Sequence, residues 1–142
     1  MKTTYISKKI IDTTLKTKIK KGNRVLDPLA SFSNKKRLPF KIIEDNNIMN
    51  PPELHVQDGD LFFCLEGKID FVCGGLIIRK ENRINPDGTR NHKEQTGIRI
   101  RNGQSFKLRQ GDWLWIPPNT PHQHGSDGSA RVMVIKIPIH QK

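Results

Sequence analysis

From Leu38 onward the sequence breaks into short apolar runs, and this most limits what the chain can fold into. The runs are Phe40–Ile43, Leu61–Leu65, Ile69–Cys73, Leu76–Ile78, Gly97–Arg101, Ser105–Leu108, Trp113–Ile116 and Val132–Ile139. Each is short, rich in β-branched or aromatic residues, and bounded by Gly, Pro, Asn or Asp. That is how strands read, not helices. Strands this closely spaced argue for an antiparallel sandwich or barrel. Gly74-Gly75 reads as a two-residue hairpin turn. No internal repeat is visible.

Two regions depart from the pattern. At the N-terminus Tyr5, Ile6, Ile10, Ile11, Leu15 and Ile19 recur at near-helical spacing with lysines between them, and Gly22 stands where a helix would stop. This predicts one amphipathic helix over residues 5–20, although Thr13, Thr14 and Thr17 weaken its propensity. Residues 21–37 are turn-rich. The chain thus divides at 37/38 into a helix with a connecting segment and a β-rich body over 38–142. The other exception is the polar stretch from Arg79 to Thr96, with a turn signal at Pro86-Asp87-Gly88. Its composition predicts a long surface loop.

At 142 residues the chain is long enough to bury one self-supporting core. No stretch approaches the ~20 apolar residues of a membrane-spanning helix. The N-terminus lacks a continuous apolar segment of the secretory type. Two cysteines, Cys64 and Cys73, are too few for a disulfide scaffold or a four-cysteine zinc module. A reducing, cytoplasmic setting is the expectation. A disulfide between them is not expected, because a hairpin turning near Gly67 places Cys64 opposite about residue 70. The net charge is +11, of which residues 1–50 carry +8 (12 basic less 4 acidic). The basic N-terminal third reads as a solvated lysine-rich face. It lacks aromatic interleaving and any nucleic-acid-binding motif, which argues against nucleic-acid recognition.

Two segments carry the chemistry. In PPELHVQDGDLFFCLEG (51–67), Glu53 and His55 are two apart and share one face of an extended chain. Asp60 follows a turn through Gln57, Asp58 and Gly59, which lets the next strand run back beside His55. In GDWLWIPPNTPHQHG (111–125), Pro117-Pro118-Asn119 ends one strand and His122 begins another. Two carboxylates and two imidazoles can then converge. Mixed N/O sets of this kind suit Fe, Mn, Ni or Zn as divalent ions. The alternative is that His55 and His122 are hydrogen-bonded structural residues; the four-donor set favours metal. Glu53 reads as a ligand, a general base or a charged rim residue. His124 shares the parity of His122 and reads as a supporting partner, a proton-transfer group or a replacement ligand. Phe62 and Cys64 share parity with Asp60 and are expected along the interior. Trp113 and Trp115 share one strand face and read as core, Trp115 alternatively as pocket wall. Cys64 reads as a small hydrophobe. His92 and His140 read as solvated. Arg99 and Arg101 read as a solvated face or as guides for an anion.

The spacing of these segments resembles that of the cupin superfamily. Its first motif runs His-x-His, three to four residues, a carboxylate, six residues, Gly. Here it reads Glu53-x-His55, four residues, Asp60, six residues, Gly67. The second runs Gly, five residues, Pro-x-Gly, two residues, His, three residues, Asn. Here it reads Gly111, five residues, Pro117-x-Asn119, two residues, His122, three residues, Ser126. The resemblance covers roughly residues 38–139 and is similar to small bacterial cupins with Glu-x-His in the first motif. It implies an all-β antiparallel jelly-roll barrel with a short N-terminal helix. It also implies a metal site in the barrel mouth on Glu53, His55, Asp60 and His122, and dimerisation. The implied function is an enzyme of the dioxygenase, isomerase or lyase type acting on a small polar metabolite, with Glu53 or His124 moving a proton. A metabolite- or sugar-binding barrel without turnover is the second reading. A polyanion-binding protein using the basic third is the last.

Overall fold

A computed structural model describes residues 1–139. The elements, in chain order, are α1 (Lys8–Leu15), β1 (Gly22–Val25), α2 (Leu29–Lys36), β2 (Phe40–Met49), β3 (Glu53–His55), β4 (Asp58–Cys73), β5 (Leu76–Ile78), β6 (Glu81–Ile84), β7 (Arg90–Thr96), β8 (Arg99–Arg101), β9 (Gln104–Arg109), β10 (Trp113–Ile116) and β11 (His122–Pro138). Nine strands form one curled antiparallel sheet, and β5 and β8 pair separately. The architecture is an all-β jelly-roll barrel.

Two long strands organise the barrel. β4 and β11 pair along most of their lengths, from Asp58↔Pro138 to Cys73↔His122. β10 joins the first half of β4, and β9 joins the second. The pairing slips between Gly125 and Ala130, where both strands bend. Gly67 makes that bend feasible. Its φ is +75°, and a Cβ there would lie 1.9 Å from the Ser129 carbonyl oxygen.

Alternation along the strands fills the interior with Ile43, Phe62, Cys64, Ile69, Phe71, Leu108, Ile116, Ala130, Val132 and Val134. A second cluster lies outside the sheet. There Leu26, Leu29 and Ile42 pack with Ile10, Ile11, Leu15, Phe32 and Met133, seating α1 and α2 on the barrel wall. Four consecutive residues of β2, Ile42–Asp45, are buried because both faces of this strand are covered. Glu44, on the outer face, accepts hydrogen bonds from Arg131 Nε (2.8 Å), Arg24 Nε (2.8 Å) and the Lys20 N–H (3.1 Å). Arg131 also donates to the carbonyls of Leu15 and Thr17, both at 2.5 Å.

Several local expectations change. The N-terminal helix spans Lys8–Leu15 rather than 5–20: Ser7 caps its start, and Arg131 takes the Leu15 and Thr17 carbonyls at its end. The segment expected to be turns contains β1 and α2. α2, LASFSNKK, has little intrinsic helix preference, and burial of Leu29 and Ser33 decides its form. Leu61–Cys73 is one continuous strand with no hairpin at Gly67. Gly74-Gly75 joins β4 to β5, but those strands do not pair; β5 pairs with β8. The polar insert is not a loop. It forms a β6–β7 hairpin over an Asn85–Thr89 turn, in which Asp87 Oδ1 accepts from the Thr89 N–H at 2.9 Å. β3 and β4 do not pair with each other; both pair with β11.

Trp113 and Trp115 are not core residues. β10 turns Leu114 and Ile116 toward the interior, which leaves Trp113 57% and Trp115 44% exposed on the outer face. Trp113 stacks on Phe63 with ring centroids 4.3 Å apart. His140 lies outside the described residues. No helix among the described residues is long and apolar enough to cross a membrane.

Candidate metal centre

Cross-strand register assembles the centre. Glu53 lies opposite His122 across β3–β11. His55 lies opposite Glu94 across β3–β7, and Asp60 lies opposite Lys136 across β4–β11. The loop before β11 is tied to β3 by Asn119, whose N–H donates to the His55 carbonyl at 2.8 Å. Asn119 has a φ of +59°, the left-handed turn geometry that Asn tolerates.

One ligand atom from each of Glu53, His55 and His122 lies within 4.8 Å of the others. Asp60 Oδ2 sits 3.1 Å from His55 Nε2 and 3.4 Å from His122 Nε2. Glu53 Oε2 lies 3.9 and 3.7 Å from the same two nitrogens. Donors about 2.1 Å from a shared ion sit roughly 3.0–3.4 Å from their neighbours, so small movements close this set on an ion. Both imidazoles present the right edge. His55 Nδ1 faces Glu94 Oε2, and His122 Nδ1 donates to the Thr120 carbonyl at 2.9 Å. The Nε2 edges of both rings therefore point into the cluster, where an ion would displace any proton they carry. His122 Nε2 is buried without a hydrogen-bond partner, and such orphaned groups need an explanation. Asp60 Oδ2 is near it but not aligned to bond.

Electrostatics run the same way. Burial disfavours a charged His122, but the carboxylates of Asp60 and Glu53 outweigh it and push its pKa up to about 9. Burial likewise opposes charging His55, and Asp60 and Glu94 raise its pKa despite that. Burial would raise the pKa of Glu53, yet His122, His124 and Arg83 hold it at about 2. Asp60, also buried, is pulled below the usual carboxylate range by His122, His55 and Lys136. Arg83 donates to Glu53 Oε1 at 2.8 Å, and Lys136 donates to Asp60 Oδ1 at 2.9 Å.

Beside the donors lies a cavity of about 570 Å³. His124 lines it, 6% exposed, with Nδ1 2.6 Å from Asp45 Oδ2. Asp45 is fully buried, and its other oxygen accepts from Asn23 (2.7 Å) and Asn50 (3.0 Å).

Of the residues singled out from the sequence, Glu53, His55, Asp60 and His122 come together, and His124 and Phe62 line the adjoining cavity. Cys64 lies in the core, clear of the cavity, and Trp115 on the outer face with its ring against Gly59. Burial raises the pKa of both thiols, that of Cys73 to about 11, so neither is a reactive thiolate. Both cysteines are free. His92 is exposed and pairs with Asn82. Arg99 and Arg101 are exposed on β8. Sequence reading missed Glu94, Arg83, Lys136 and Asp45. The first two come from the insert taken for a loop, and the other two are recognisable only once strand register is known.

No family model and no curated protein matches the sequence. Solved structures do match the fold. A Neisseria meningitidis protein, NMB1881, superposes with a TM-score of 0.53 at 13% identity, over 93% of this chain and 99% of that one. The Drosophila melanogaster CENP-C cupin domain superposes with a TM-score of 0.51 at 10% identity, over 74% of this chain and 61% of that one. The chain spans 50–65% of the length of several other structures that it matches.

Proposed function

We propose that this chain, whose fold is that of the cupins, holds a divalent transition metal on Glu53, His55 and His122, with Asp60 as a fourth donor. On this reading it is an enzyme of the dioxygenase, isomerase or lyase type acting on a small polar metabolite. The observation that carries the reading is His122 Nε2. It is buried, lacks a hydrogen-bond partner, and faces a second imidazole nitrogen and two carboxylates. Fe, Mn, Ni and Zn all suit two imidazoles with carboxylates. When bound, such an ion supplies Lewis-acid polarisation of a substrate oxygen or, as iron, O₂ activation.

The remaining roles belong to the chain's own residues. Glu94 and the Thr120 carbonyl fix the tautomer and tilt of the two imidazoles. Glu53 is committed to the ligand set and to Arg83, which leaves proton transfer to His124. Asp45 takes Nδ1 of that ring, so Nε2 is the nitrogen that exchanges a proton with a molecule in the cavity. Phe62, Val134 and Ile43 line the cavity and limit water around that exchange.

The test is metal content by plasma mass spectrometry on untagged protein, beside a His55→Ala/His122→Ala double variant. Near-stoichiometric Fe, Mn, Ni or Zn, lost in the variant, is the expected result. No metal after reconstitution would refute the reading.

A further inference from the structure

We propose that the cavity beside the metal donors takes a small organic anion bearing one or two carboxylates, gripped by Lys41, Arg83 and Lys136. This rests on the metal reading and adds the substrate class to it. Charge points to this class first. The cavity is lined by Lys41, Arg83 and Lys136 and by Glu53, Asp60 and Glu94, so once His55 and His122 have given up their protons to an ion, three cations stand against three carboxylates. A divalent ion adds two positive charges, and the nearest further carboxylate, the buried Asp45 behind His124, offsets at most one of them. A partly enclosed cavity makes uncompensated charge costly, and a neutral metabolite would leave it so. An anion with one or two carboxylates cancels it.

Donor inventory points the same way. Lys136 has three N–H groups and gives one to Asp60 Oδ1. Arg83 has five and gives one to Glu53 Oε1. Lys41 has no side-chain partner among the described residues. The cavity therefore offers unused cationic donors beside the metal ligands. Lys136 is one carboxylate away from the donors: the Asp60 carboxylate it holds at 2.9 Å through Oδ1 lies 3.1 Å from His55 Nε2 through Oδ2. A carboxylate can thus meet the ion and Lys136 together. Beside these groups Val25, Ile43, Phe62 and Val134 give an apolar stretch of lining suited to a short carbon chain.

The probes are malonate, its neutral isostere malonamide, and inorganic phosphate. Each is titrated calorimetrically at 0.15 M salt into manganese-reconstituted protein whose metal content is measured on the same sample. Malonate is expected to bind, malonamide not to. Compared at equal metal occupancy, with excess manganese supplied where a variant holds it more weakly, Lys136→Gln and Arg83→Gln should each weaken malonate at least tenfold, and Lys136→Arg should restore most of the loss. Equal malonate affinity in the variants means ordinary metal ligation and overturns the proposal. So does malonamide binding as well as malonate, or phosphate binding alone. The two claims fail separately. Metal present without malonate binding sinks the anion site only. Malonate binding that needs the cations in a protein that takes up no metal sinks the metal reading only. Absence of both sinks both.

Discussion

Replacing Glu94 tests whether the β6–β7 hairpin belongs to the centre or merely covers it. Glu94 stands opposite His55 in the β3–β7 register, and its Oε2 faces His55 Nδ1. If His55 ligates through Nε2, Glu94 fixes the ring and raises its basicity. Loss of such a partner weakens metal binding by about 10–100-fold, or ~1.4–2.7 kcal/mol. The two ends of that range belong to different substitutions. Glu94→Gln keeps the shape and an acceptor oxygen but removes the charge, so about tenfold is expected. Glu94→Ala removes the acceptor as well, so about 100-fold is expected. Glu94 is partly exposed and outside the core, so neither change should alter unfolding of the metal-free protein by more than about 1 kcal/mol. The assay is competition for zinc against a chromophoric chelator at pH 7.5, with chemical denaturation of the apo forms as control. Wild-type affinity in Glu94→Ala would refute the assignment of His55 Nε2 as a ligand atom.

Protons should compete with metal. His122 holds a proton below a pKa of about 9 in the metal-free protein, so binding at pH 7.5 should release at least one proton. Calorimetry in buffers of different ionisation enthalpy reads that number, and zero would contradict the site. The same shifts set the stability of the apo protein. The His122 pKa is raised from 6.5 to about 9, so its contribution is full below 6.5 and lost as pH rises through 9. Glu53 is lowered from 4.5 to about 2, so its contribution is full above 4.5 and lost toward 2. Thermal melts of apo protein should therefore be highest between pH 4.5 and 6.5 as far as these groups decide, with a decline toward pH 9.5 that His122→Gln flattens. Arg131→Met removes the buried partner of Glu44 and should cost about 3–5 kcal/mol, with faster amide exchange over α1; unchanged exchange there would contradict the seating role of Arg131. Gly67→Ala places a Cβ against the Ser129 carbonyl in a left-handed conformation and should cost about 2 kcal/mol or more by denaturation, a loss that a relaxed bend would not show.

The barrel was legible because its signals are local. Alternation and turn residues mark strands wherever one face is buried, and the Glu53–Gly67 and Gly111–Ser126 spacings place four donors without knowledge of register. What escaped depends on tertiary context. α2 is helical because Leu29 and Ser33 are buried, not because LASFSNKK prefers a helix. β6 and β7 are polar apart from the exposed Ile84, so alternation could not reveal them, although they supply Arg83 and Glu94. Lys136 meets Asp60 only through the β4–β11 register, 76 residues apart in sequence. Trp113 and Trp115 misled because their size suggests burial, whereas β10 turns its aliphatic residues inward. The run through Gly67 misled as well, since a positive-φ glycine there bends a continuous strand instead of ending one.

The most direct measurement is anomalous X-ray diffraction from crystals of the metal-loaded protein, collected above and below the absorption edge of the metal found. One strong anomalous peak is expected within bonding distance of His55 Nε2, His122 Nε2 and Glu53, with Asp60 beside it. A peak on other residues, or none in protein that carries stoichiometric metal in solution, would contradict it.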